Sequence, residues 1–218
     1  LSEEDIKLRY ITPAIQNAGW DNKQIRMEYV FTEGRIILRG NITARGRKKS
    51  ADYLLSYKNN FPLAIVEAKD NTQPVGAGLQ QAIDYANTLD VPYVYSSNGD
   101  GFVEQNLITG EVKELKLEEF PSPEALYKRY RIDNGIDDAV EKVMLEPYYY
   151  TLNYKTPRYY QRVAINRTVD AVAKGQNRVL VVSATGTGKT FMIFQIIYRL
   201  WKSGLKKRFY TWQIETYS

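Results

Sequence analysis

The octapeptide Ser183-Ala184-Thr185-Gly186-Thr187-Gly188-Lys189-Thr190 follows the apolar run 179–182 and opens a stretch whose apolar residues repeat at helical spacing. A strand, a glycine-rich loop and a helix in that order form the setting of a phosphate-binding loop. Backbone N–H groups of the turn and the positive end of the following helix converge on phosphate oxygens. In such a loop Thr185, Gly186, Thr187 and Gly188 shape the turn, Lys189 reaches the outer phosphates and the Thr190 hydroxyl faces magnesium. Ser183 stands where the usual pattern has glycine, so the loop is a variant.

The chain contains no histidine and no cysteine. Zinc sites, thiol nucleophiles and Ser-His catalysis are therefore excluded, and a catalytic metal must sit on oxygen ligands. That favours Mg2+ or Mn2+ on carboxylates. No apolar run approaches a membrane span and no secretory signal is visible, so a cytoplasmic location is expected.

The net charge of +5 is unevenly spread, at −2 over residues 1–118 and +7 over 119–218. The basic half is either a path for nucleic acid or a solvated face. Arg45, Arg47, Lys48 and Lys49 form a basic run within the otherwise acidic half.

Ser2 is placed to cap a first helix with Leu8, Ile11, Ile15 and Ala18 on one face, kinked at Pro13 and stopped at Gly19. Alternating patterns predict strands over 35–42, 51–57, 63–68, 91–96, 102–107 and 112–117, mostly antiparallel, with a helix over 78–89 before the fourth. Helices are expected over 124–131, 136–145, 157–174 and from the phosphate loop to 203.

Asp52 and the Glu67-Ala68-Lys69 segment form the second chemical constellation. Glu67 and Lys69 lie two apart, so on a strand they share a face. A hairpin turn at Asn59-Asn60 sets Asp52 opposite Glu67. Facing carboxylates repel unless a cation lies between them, and Lys69 beside them can orient water or stabilise negative charge in a transition state. An ordinary surface charge cluster is the alternative reading of the same residues.

Asp52, Glu67 and Lys69 resemble the core of the PD-(D/E)xK nucleases, with Ala51 where that pattern has proline. Gln81 and Tyr85, one helical turn apart, match the Gln-x-x-x-Tyr signature of the RecB-like branch, and Glu3 matches a further acidic position there. The resemblance implies that Asp52, Glu67 and Glu3 hold the metal while Lys69, Gln81 and Tyr85 complete the catalytic set. The Thr-Gly-x-Gly-Lys-Thr loop resembles motif I of superfamily 2 helicases.

In order along the chain, residues 3–20, 50–55, 62–69, 81–86, 97–99, 157–161 and the phosphate loop resemble the restriction (R) subunit of type I restriction-modification enzymes. That resemblance implies an α/β fold: a restriction-endonuclease-like mixed sheet flanked by helices, a helical connector, and the opening of a P-loop RecA-like domain. It places a nuclease domain over 1–118, the connector over 119–156 and the motor's opening over 157–218. It implies cleavage of double-stranded DNA coupled to ATP-driven translocation, with methyltransferase and specificity subunits as partners and Gln161 at the adenine of ATP. Because no Asp-Glu pair follows the phosphate loop, only part of a motor is expected, and the chain is expected to be a piece of a longer protein. The alternatives are an inactive nuclease-like docking module with a nucleotide-sensing loop, or another nuclease-helicase of defence or repair.

Overall fold

The computed structural model describes residues 1–32, 37–39, 42–44, 48–58, 61–150 and 156–210. It divides into two compact units, Leu1–Ile136 and Asp137–Ser218.

The first unit is built on a six-stranded sheet of order β1-β4-β5-β6-β7-β8. Its strands are β1 (Ile25–Thr32), β4 (Lys48–Lys58), β5 (Phe61–Ala68), β6 (Tyr93–Ser97), β7 (Phe102–Asn106) and β8 (Val112–Leu115). All neighbours are antiparallel except β5 and β6. Parallel strands require a crossover, and α3 (Leu79–Leu89) supplies it with Ala82, Ala86 and Leu89 turned inward. β5 and β6 are buried along their whole length, as expected for the middle of a sheet covered on both faces.

Where one strand is expected over 35–42, the structure has two short ones paired with each other, β2 (Ile37–Arg39) and β3 (Ile42–Ala44), the second starting at the end of that segment. Gly40-Asn41 between them is a dipeptide of the kind that favours hairpin turns, although these two residues, like Asn59-Asn60, lie outside the described residues. β1 is not anticipated above, yet Ile25, Met27, Tyr29 and Phe31 recur at every second position, a pattern that Val30 blurs. As an edge strand it buries only Phe31 fully, which weakens its apolar signal.

The first helix is interrupted. α1 (Glu3–Ile6), capped by Ser2, passes into a π-helical segment (Lys7–Ile11) and then α2 (Thr12–Asn17), with Pro13 in the first turn of α2. The wider turn rotates the faces, so Lys7 is 3% exposed while Leu8, expected in the core, is 72% exposed. Trp20 fastens the end of this run by donating its indole N–H to the Pro121 carbonyl at 2.9 Å. α4 (Pro123–Asp133) closes the unit, with Tyr127 stacked on Tyr57 at 4.0 Å.

In the second unit, α5 (Asp138–Met144), α6 (Tyr159–Ala173) and α7 (Lys189–Lys202) enclose a core of Val143, Tyr148, Ile165, Val169, Met192 and Leu200. Buried Arg199 donates to the Asn166 side-chain oxygen at 2.8 Å and to the Met144 carbonyl at 2.6 Å. The Gln195 amide pairs with both main-chain groups of Tyr149. The run 179–182 is not a strand, contrary to expectation. Among the described residues no neighbouring strand is there to pair it, and Leu180 and Val182 are 87% and 86% exposed.

Candidate functional site

The β4–β5 register runs Tyr53↔Val66, Leu54↔Ile65 and Leu55↔Ala64, and it carries Asp52 to the position facing Glu67. The two are cross-linked through the main chain. The Asp52 N–H donates to Glu67 Oε1 at 3.3 Å, and the Ala68 N–H donates to Asp52 Oδ2 at 2.8 Å. Because β5 is central, Glu67 is only 1% exposed. Burial, reinforced by the Asp52 charge, pushes its carboxyl up to about 8.

Helix α3 completes the cluster. Gln81 Nε2 donates to Glu67 Oε2 at 2.7 Å and to the Tyr85 hydroxyl at 3.2 Å, while Gln81 Oε1 accepts from Lys69 Nζ at 3.2 Å. One amide thus orients both the acid and the lysine. Tyr85 is wedged edge-on against Phe31, with Lys49 over its ring.

Gly78, preceding the helix, sets the distance between α3 and the sheet. A Cβ there would lie 3.0 Å from Ser96 Oγ, 3.1 Å from Glu67 Cβ and 3.2 Å from Lys69 Cε. Its N–H donates to Ser96 Oγ at 2.9 Å, and Ser96 is the parallel-strand partner of Glu67.

The structure therefore gathers Asp52, Glu67, Lys69, Gln81 and Tyr85 on adjoining elements. Glu3 reaches the cluster through Lys69, with its Oε1 3.7 Å from Lys69 Nζ. Among the described residues no three acidic side chains are gathered closely enough to hold a metal ion. The pair Asp52 and Glu67 does suit a hard divalent cation that keeps waters or substrate oxygens in its other positions. A carboxyl driven toward its neutral form by burial, and further by a second carboxylate, is an environment that a bound cation reverses.

Two residues of this neighbourhood are not anticipated in the sequence. Lys7 Nζ lies 2.5 Å from Glu28 Oε1 and 3.3 Å from Asp52 Oδ1, and also pairs with Glu4. Burial works against the Lys7 charge, but the hydrogen bonds to Glu28 and Glu4 and the Asp52 charge outweigh it and hold the ammonium above the ordinary lysine range. Glu28 and Asp52 are 21 and 45 residues from Lys7 along the chain, so no local spacing reveals these two contacts.

In the second unit, the phosphate loop ends at Gly188, whose φ of 84° admits glycine readily and which caps α7. Gln161 ties α6 to this loop by donating to the Thr187 carbonyl at 2.8 Å and accepting from the Arg158 N–H at 3.0 Å. Lys189 Nζ donates to the Ser183 and Ala184 carbonyls, and Thr187 Oγ1 bonds the Ala184 carbonyl and pairs with Ser183 Oγ. Thr185, Lys189 and Thr190 are exposed. Thr156, Arg158, Tyr160, Gln161, Phe191 and residues 186–188 line a cavity beside the loop.

A mixed sheet with Asp, Glu and Lys gathered at one end of its central strands, joined to a phosphate-loop unit, has the architecture of a restriction-endonuclease-like α/β protein with an attached P-loop segment. The particular family emerges from comparison with known proteins. A solved fragment assigned as the HsdR subunit of a type I restriction enzyme from Vibrio vulnificus YJ016 superposes with a TM-score of 0.80 at 44% identity, over 93% of this chain and 38% of that one. The type I restriction enzyme EcoAI endonuclease subunit of Escherichia coli is 49% identical over 95% of this chain and 26% of its own length. The EcoKI endonuclease subunit of Escherichia coli strain K12 is 25% identical over 95% of this chain and 22% of its own length. Residues 154–211 match the family model described as "Type III restriction enzyme, res subunit". This chain is a homologue of type I restriction enzyme endonuclease (HsdR) subunits, and it spans about a quarter of the length of the curated relatives it matches.

Proposed function

We propose that this chain carries the metal-dependent DNA endonuclease of a type I restriction enzyme R subunit, together with the opening of its ATP-driven motor. In this reading the nuclease domain covers 1–118, a helical connector 119–156 and the motor's opening 157–218, and the division between the two compact units at Ile136 falls within the connector. The observation that carries it is the hydrogen-bonded set Asp52, Glu67, Lys69 and Gln81 at one end of β5. The relatives along nearly the whole chain support it.

Asp52 and Glu67 are the residues that would hold Mg2+ or Mn2+, and a bound divalent cation supplies Lewis acidity at a phosphodiester. Gln81 keeps the Glu67 Oε2 atom fixed and Lys69 Nζ directed toward the same space. Lys69 then provides positive charge beside the reacting phosphate, where charge accumulates in the transition state. Tyr85 braces Gln81 and Glu3 braces Lys69.

In the motor segment, Thr185, Gly186, Thr187, Gly188, Lys189 and Thr190 would cradle the phosphates of ATP, with Gln161 beside the base. The substrate is double-stranded DNA, and the partners are the methyltransferase and specificity subunits of the complex. Among the described residues no helix is long and apolar enough to cross a membrane. A cytoplasmic location accords with that and with a DNA substrate.

The test uses the complete R-containing complex. Asp52→Asn, Glu67→Gln and Lys69→Ala should each lower metal-dependent cleavage by roughly 10²-fold or more while ATP hydrolysis persists. Cleavage at the wild-type rate by folded Lys69→Ala would remove the assignment.

A further inference from the structure

Three adjoining strands place acidic residues at successive cross-strand positions. Met27↔Tyr53 and Tyr29↔Ala51 flank Glu28 and Asp52 in the β1–β4 register, and Asp52 faces Glu67 in turn. Glu28 holds a φ of 48°, in the left-handed region that glutamate seldom adopts. The register on either side of it is unchanged, so no inserted residue accounts for that backbone. Strain of this kind persists where surrounding contacts over-determine it, and here the Glu28 carboxylate accepts from Lys7 Nζ at 2.5 Å and from Ser50 Oγ at 3.4 Å.

Lys7 is delivered by the π-helical segment, with its side chain 4% exposed. Its ammonium is close to Glu4 and to Glu28 Oε1, the latter at 2.5 Å, and more distant from Asp52 Oδ1, at 3.3 Å. Asp52 Oδ2 already accepts from the Ala68 N–H, so Lys7 sits against the other oxygen, Oδ1. A metal ion at Asp52 must contend with that ammonium for the same atom.

We propose that Lys7 is a built-in counter-cation competing with the divalent metal for Asp52 Oδ1, and that Glu28 is the positioning residue that draws Lys7 aside to let metal in. The proposal rests on the nuclease reading above. Removing the ammonium relieves like-charge repulsion at the site. Removing the Glu28 charge leaves Lys7 shared between Glu4 and Asp52 and shifts it toward Asp52. The two changes therefore act in opposite directions, and the second works only through the first.

Titration calorimetry of this chain with Mn2+, without DNA, tests it. Lys7→Met, which keeps the length and removes the charge, should bind Mn2+ several-fold more tightly than wild type. Glu28→Gln should bind it several-fold more weakly. In the Lys7→Met background, Glu28→Gln should have no further effect, a non-additivity that a purely structural role would not produce. Unchanged or weaker binding by folded Lys7→Met overturns the proposal. The Glu28 side chain is 56% exposed, so Glu28→Gln keeps the test decisive should Lys7→Met not fold, and unchanged or tighter binding there also overturns it. Wild-type Mn2+ binding that Glu67→Gln removes, but that ignores Lys7 and Glu28, defeats this inference alone. Absence of any Glu67-dependent Mn2+ binding defeats the nuclease reading and this inference together.

Discussion

Glu67 enters the folded state with its carboxyl pushed up to about 8 by burial and the Asp52 charge, against an ordinary value of 4.5. Between those values the folded chain holds a proton that the unfolded chain has released. Stability must then fall as pH rises through that window, by at most roughly 1.4 kcal/mol per pH unit from this one group. The chain has no histidine, so the most common titration between pH 5 and 8 is missing and the effect of Glu67 stands out. Urea unfolding with a chelator present should show wild type losing stability from pH 5 to pH 8 and Glu67→Gln losing much less; equal slopes would show that the folded state does not hold this proton. Asp52, Glu67 and Lys69 were legible because short spacing and a simple hairpin register bring them together. Lys7 and Glu28 were not, because an ion pair across three separate elements leaves no periodic trace, and a lysine on an apolar helix face reads as an ordinary solvated residue.

At the scale of elements, the end of β5 that carries Glu67 is held by the approach of α3, and that approach depends on Gly78. The Cβ of Gly78→Ala would press on Ser96 Oγ, Glu67 Cβ and Lys69 Cε at 3.0–3.2 Å, two of them side chains of the proposed site. Overpacking of this kind costs about 1–3 kcal/mol. The start of α3 should retreat and loosen the Gln81 bonds to Glu67 and Lys69. Gly78→Ala should therefore lose Glu67-dependent Mn2+ affinity as well as thermal stability, both measurable on the purified chain. A variant that binds Mn2+ as wild type does would show that α3 does not position the acid.

The helical spacing of Ala82, Ala86 and Leu89 and the apolar run of β5 made this α/β layer readable from sequence. The π-helical segment was not readable, since Pro13 marks a disturbance without giving its form. Without that segment Leu8 would follow the apolar spacing inward. With it, Lys7 does.

Across the whole molecule, each unit has its own core, and the basic charge concentrates in residues 119–218. The phosphate loop was legible because its residues are contiguous. The exposure of 179–182 was not, because an apolar run specifies burial only where another surface covers it. Holding a triphosphate and hydrolysing it make different demands on the second unit. Binding needs the loop amides and Lys189, whereas turnover also needs a carboxylate near the metal and the attacking water. The second unit contains six acidic side chains, Asp137, Asp138, Glu141, Glu146, Asp170 and Glu215, and none of the described ones lines the cavity beside the loop. Asp170 pairs with Lys174 at 3.1 Å and lies about 13 Å along α6 from Gln161, at 1.5 Å per residue. Glu215 lies outside the described residues. The purified 218-residue chain should therefore hydrolyse ATP no faster than background in a phosphate-release assay, and any ATP binding seen by calorimetry should disappear in Lys189→Ala. Sustained turnover sensitive to Lys189 would require a carboxylate reaching the loop from elsewhere in the chain, and substituting the acidic residues of the second unit one at a time would find it.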